Sequence, residues 1–96
     1  MAAHIIDTHG KQYNLLSGLT NKIGSGKKMD VVLTSDEAEA LHAGIRQVQE
    51  NVWVLMNLTL QGTSVRHKGR PVSEHVEIGH GDTVTVCGEK FKFYKH

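Results

Sequence analysis

Three groups of residues in this 96-residue chain have the types and spacing to carry chemistry. The first is "KIGSGKK", Lys22 to Lys28, a glycine-rich turn with lysines placed just ahead of the apolar run "DVVL". Such a turn could cradle a phosphate. A nucleotide P-loop, however, needs a glycine, four residues, then Gly-Lys-Ser/Thr at the start of a helix. Here Gly26-Lys27 is followed by Lys28, the position five before Gly26 is Asn21, and a strand-like run follows. The frame fails, and the stretch reads as a lysine-bearing turn between strands. The second group is the histidines: His4, His9, His42, His67, His75, His80 and His96. None stand at the i, i+4 spacing of a helical metal site, and no cysteine pair supports them, so no metal is expected. The third is Cys87 in the alternating run "TVTVCG". No base is fixed beside it in sequence, and it reads as a buried, inert thiol. No catalytic constellation emerges. The chain is expected not to be an enzyme, and to use no cofactor or small-molecule substrate.

The totals narrow the class further. Eleven basic and ten acidic side chains leave a formal charge of +1, without the basic block expected of a nucleic-acid binder. No apolar run approaches the roughly 20 residues needed to cross a bilayer, so no membrane partner is expected. "MAAHIIDTHGK" lacks the charged start and long apolar core of a signal peptide. A single cysteine cannot form an internal disulfide, which fits a reduced, intracellular setting. The length suits one domain, residues 1–96.

The elements that must position these residues are short and mostly extended. "HIIDTHGKQYNLL" reads as two strands around His9-Gly10, and "NKIGS", "DVVLT", "NVWVLMNL", "TSVRHKG", "EHVEI", "DTVTVCG" and "KFKFYK" follow. Valine, threonine and aromatic residues concentrate in these runs, with glycine pairs near their ends. "LHAGIRQVQ" alternates, with His42, Gly44, Arg46 and Val48 on one face and Ala43, Ile45 and Gln47 on the other. One stretch is open to a helix: in "SDEAEALHAGIRQVQE", Ser35 could cap, and Ala38, Leu41, Ile45 and Val48 have near-helical spacing. The balance predicts an all-β sandwich or barrel. Its core is expected to include Val31, Ile45, Trp53, Leu55, Val84, Val86, Phe91 and Phe93.

The order of the pieces is more specific than any one of them. "IGSGKKMDVVL", "LHAGI", "WVLMNLTLQGTSV", "IGHGDTVTV" and "FKF", in that order, resemble the forkhead-associated (FHA) domain from about Lys22 to Phe93. The resemblance implies an FHA-type β-sandwich of about eleven short strands, with the usual task of binding phosphothreonine peptides. It also makes "LHAGI" the start of a strand rather than part of a helix.

Carried over residue by residue, the resemblance keeps the frame and loses the grip. The family's Gly-Arg motif reads Gly24-Ser25, without the phosphate-binding arginine. Its serine, two residues before a histidine, reads Glu39 with His42 retained. Its Asn-Gly reads Gln61-Gly62, with Thr63 following as expected. The resemblance implies that His42 steadies the pocket loops. Gly24 and Gly62 suit tight turns. Arginine offers phosphate a charged fork, and charge-assisted bonds are about twice as strong as neutral ones. Ser25 offers one hydroxyl, and a carboxylate at Glu39 repels a phosphate of charge about −1.5 to −2. Lys27 and Lys28 could stand in for the arginine, which keeps a phosphothreonine reader as the alternative. "VRHKGRPV" is longer than the family's usual turn.

The expectation is therefore a protein–protein interaction module with weak or lost phosphothreonine binding. Its expected partner is a protein, first of all itself. "NVWVLMNLTL" is apolar on both faces, Val52, Val54, Met56 and Leu58 alternating with Trp53, Leu55 and Leu60. A sandwich buries only one face of each sheet, and an exposed apolar row often marks an interface. Val52, Val54, Met56, Leu58 and Leu60, with Leu41, are the candidate homodimer surface, with two-fold closure. Family analogy adds a nuclear setting and DNA-damage signalling.

Overall fold

The computed structural model describes residues 2–95, and His96 lies outside the described residues. Eleven strands form: β1 (Ala3–Asp7), β2 (Gln12–Leu15), β3 (Asn21–Gly24), β4 (Val31–Val32), β5 (Ala43–Gln49), β6 (Val52–Asn57), β7 (Val65–His67), β8 (Arg70–Pro71), β9 (His75–Ile78), β10 (Thr83–Val86) and β11 (Glu89–Lys95). They build a six-stranded sheet, β2-β1-β11-β10-β7-β8, and a five-stranded sheet, β4-β3-β5-β6-β9. All pairings are antiparallel except β3 with β4.

The strands follow from alternation. In β6, Trp53, Leu55 and Asn57 are buried while Val52, Val54 and Met56 are half-buried on the other face. In β11, Phe91 and Phe93 point inward and Lys90 and Lys92 outward. All eight core residues expected from sequence are buried, and Ile5, Ile23, Ala43, Val65 and Ile78 join them. Trp53 packs against Phe93 across the sandwich, ring centroids 6.1 Å apart.

The helical reading of Ser35 to Glu50 is overturned. No helix forms there: residues 35–41 are loop and turn, and β5 starts at Ala43. Ladder bonds to β3 on one side and β6 on the other satisfy the β5 backbone, which a lone four-turn helix could not match. His42 falls just before the strand, fully buried rather than on the outer face. Leu60 also departs from expectation. It lies past the end of β6, fully exposed, so it continues neither row of that strand.

Two hairpins turn through two residues that both have positive φ, Lys68-Gly69 (53° and 81°) and Cys87-Gly88 (51° and 79°). That is the type I′ geometry whose twist matches paired strands. The "VRHKGRPV" segment thus forms the β7–β8 hairpin, two of the eleven strands. Cys87 occupies a tight turn and is half-buried, not buried as the alternation suggested.

Candidate functional site

Three connections converge beyond the ends of β3, β5 and β6: Ser25–Asp30, Leu33–His42 and Leu58–Ser64. His42 is their hub. The Glu39 N–H donates to His42 Nδ1 at 3.0 Å, so that nitrogen carries no hydrogen. Nε2 then carries it and donates to Ser64 Oγ at 2.8 Å, and Ser64 Oγ donates onward to the Gln61 carbonyl at 3.2 Å. Burial pushes the His42 pKa down, against an opposing pull from the Glu39 charge. A neutral Nε2–H ring fits both observations. In that tautomer His42 cannot deprotonate Ser64, so the Ser–His contact organises loops rather than activating a nucleophile. Cys87 Sγ lies 3.4 and 3.6 Å from the two ring nitrogens. Their in-plane directions are already used, so this contact is packing. Burial is the main cause raising the thiol pKa, with Glu37, Glu89 and Glu39 adding to it.

Asn57 is the second organiser. Its Nδ2 donates to the carbonyls of Gln61 (3.0 Å) and Val72 (2.9 Å). Its Oδ1 accepts from the Thr59 N–H and hydroxyl. Sequence reasoning passed over Asn57 and Ser64. A signal existed for Asn57: it takes the inward parity of Trp53 and Leu55, where a polar group must find partners.

The residues singled out from sequence are brought together, but they engage one another. Ser25 donates its N–H to the Glu39 carbonyl (2.9 Å) and its hydroxyl to the Ala38 carbonyl (2.9 Å). Gln61 Nε2 donates to Glu39 Oε2 at 3.2 Å, joining two of the loops. Lys27, Lys28, Gly62 and Thr63 are exposed. Gly24 is a steric glycine: a Cβ there would sit 2.1 Å from the Ala40 carbonyl oxygen. Gly62 is different. It lies outside the left-handed region and a Cβ would meet nothing within 4 Å, so its turn does not demand glycine. A cleft of about 660 Å³ beside these loops carries Glu39 and Glu74 among its lining residues, a poor lining for an anion.

The fold is thus a two-sheet sandwich that carries the candidate residues on loops at one end. The FHA-domain family model matches residues 21–87, more than half of the chain, and the chain belongs to that family. Solved structures agree in fold. The FHA domain of the CT664 protein from Chlamydia trachomatis superposes with a TM-score of 0.88 at 20% identity, covering 100% of this chain and 99% of that one. Mycobacterium tuberculosis EmbR, solved with a low-affinity phosphopeptide, gives 0.86 at 24% identity. There the match covers 97% of this chain but only 24% of EmbR. The N-terminal FHA domain of Rad53p from S. cerevisiae, solved with a phosphothreonine peptide, gives 0.82 at 16% identity, over 100% and 94% of the two chains. No curated protein sequence matches the chain.

Proposed function

We propose that residues 1–96 form one FHA-type protein–protein interaction module whose phosphothreonine pocket is closed by its own side chains. The observation that carries this is the Glu39–Gln61 contact, together with a Ser25 whose N–H and hydroxyl are both engaged. A phosphate approaching those loops would meet a carboxylate and no free donor from Ser25. Even at an effective dielectric near 20, like charges about 4–5 Å apart repel by a few kcal/mol. Calorimetry with a degenerate phosphothreonine library is expected to give Kd values no tighter than roughly millimolar, about −4 kcal/mol. Ser25→Arg with Glu39→Ser and Gln61→Asn should tighten binding. A micromolar, phosphate-dependent complex abolished by Lys27→Ala or Lys28→Ala would replace this reading with the lysine-based reader.

Homodimerisation is the second part of the proposal. Val54 and Met56 lie half-buried on the outer face of the five-stranded sheet; Leu58 (44% exposed) follows β6 and meets Gly44 beside Met56, and Leu41 (41% exposed) lies in the loop before β5. Register puts Arg46, Val54 and Glu77 in one row across β5, β6 and β9. A two-fold axis parallel to the strands, above Val54, would set Arg46 of one copy over Glu77 of the other. Met56 and Leu58 also fold across Gly44, which covers part of their area within the chain. Sedimentation at about 100 μM, with Met56→Glu and Leu41→Glu as probes, tests the dimer against a Kd in the tens of micromolar. A strict monomer would remove it. An intracellular, nuclear setting in DNA-damage signalling belongs to this proposal by family analogy alone, and imaging of the tagged protein tests it.

A further inference from the structure

The strongest unassigned feature lies on the far side of β6 from β5. Here the edge strand of one sheet, β9, faces the edge strand of the other, β8. Between them runs a cleft of about 660 Å³. Its polar rim is His67, Lys68, Arg70 and His75, its apolar side is Pro71, Val72 and Val76, and no carboxylate lines it. One carboxylate stands behind the rim: Asp82 accepts from His67 at 2.7 Å and lies 3.6 Å from Lys68. Among the described residues Arg70 makes no ion pair. The hairpin bearing these charges is stiffened by its type I′ turn and by Arg66 Nη1 donating to the Gly69 carbonyl.

The backbone beside this rim is open. The Asn57 N–H donates to the Glu74 carbonyl, so Glu74, Val76 and Ile78 turn their polar groups toward β6. His75 and Glu77 alternate with them and turn theirs outward, where no strand pairs. On the facing edge, Pro71 has no N–H and blocks pairing with β8. An incoming strand therefore has one edge to join; β9 itself carries Glu77, and the positive charge comes from Lys68 and Arg70 of the hairpin across the cleft.

We propose that β9 and the β7–β8 hairpin form a second peptide site, which takes an extended acidic segment by strand addition to β9. Backbone hydrogen bonds go to His75 and Glu77, and carboxylates of the segment meet Lys68 and Arg70. None of the loop residues Ser25 to Lys28, and neither Glu39 nor Gln61, lines this cleft. The proposal thus stands or falls apart from the phosphate-pocket reading.

The probe is a blocked hexapeptide of glutamate and valine, with the glutamine-for-glutamate peptide as control, titrated into the ¹⁵N-labelled chain. The expected result is amide shifts at Lys68–Arg70, His75 and Glu77, with Ser25–Lys28 unmoved and the glutamine peptide silent. Lys68→Glu with Arg70→Glu, both exposed positions, should weaken binding about tenfold or more, a change of about 1.4 kcal/mol. Glu77→Pro removes the outward N–H without removing a bond to β6, and should weaken binding while leaving the basic rim intact. Equal binding of the glutamine peptide, shifts confined to the Lys27/Lys28 loop, or variants that bind like the parent would each overturn the proposal. So would β9 shifts that depend on protein concentration alone, which would assign the edge to a second copy of the chain.

Discussion

Replacing His42 with alanine isolates the residue that holds the site loops together. His42 is fully buried, and its two ring nitrogens serve the Glu39 N–H and Ser64 Oγ. Alanine leaves both groups without that partner, at about 1 kcal/mol each net. The space vacated beside Cys87 adds roughly 1–2 kcal/mol, less than the 3–5 typical of Phe→Ala because imidazole is smaller and more polar. The total, about 3–4 kcal/mol, is a large share of the roughly 5–14 expected for a chain of this length. In urea, with a slope near 1–1.5 kcal/mol/M, the midpoint should fall by about 2–4 M. Ser64→Ala should cost about 1 kcal/mol, and a cycle with His42→Ala should show coupling of at least about 0.5 kcal/mol. The same ring sets a pH dependence. Burial holds the folded pKa below the ordinary 6.5, so on acidification the unfolded chain takes the proton first. The stability due to neutral His42 is complete above 6.5 and is lost as pH falls through the lower, folded pKa. His42→Ala should flatten that part of the profile. A loss under about 1 kcal/mol, with the pH profile unchanged, would refute the hub assignment.

Gly24→Ala should destabilise by about 1–3 kcal/mol or more, because its Cβ would meet the Ala40 carbonyl at 2.1 Å, and thermal unfolding reads this directly. Asp82 gives a second acid-sensitive element. Burial, the largest single effect, raises its pKa, but bonds from His67 and the Gly79 N–H and the Lys68 charge together bring it below 3.8. Its stabilisation is present above 3.8 and is lost as pH falls through the folded value. Asp82→Asn should therefore make the acid limb of the stability profile shallower, measured by urea titration at a series of pH values. Cys87, with its thiol pushed up by burial and nearby carboxylates, should react with iodoacetamide at neutral pH several-fold more slowly than a free thiol. Mass spectrometry of the time course checks this.

Much of the sandwich is legible in sequence, because alternation is local. A strand with one face buried must repeat every two residues, so Trp53 and Leu55, or Phe91 and Phe93, declare their direction without knowledge of their neighbours. The substitutions at Ser25, Glu39 and Gln61 were equally legible, since residue type alone removes arginine's fork from the pocket. What those residues do instead was decided by tertiary structure. Glu39 meets Gln61, and His42 meets Ser64, each across 22 positions of chain, only because β5 and β6 pair and bring their loops to one end. The segment from Ser35 to Glu50 carried both helical and strand periods. Pairing with β3 and β6 chose the strand, since no local period records which neighbours a backbone will find. The open edge of β9 is of the same kind. The residues His75 to Ile78 are plain in the sequence, but that β9 is last in its sheet, facing a basic hairpin, follows only from the order in which the strands close the sandwich.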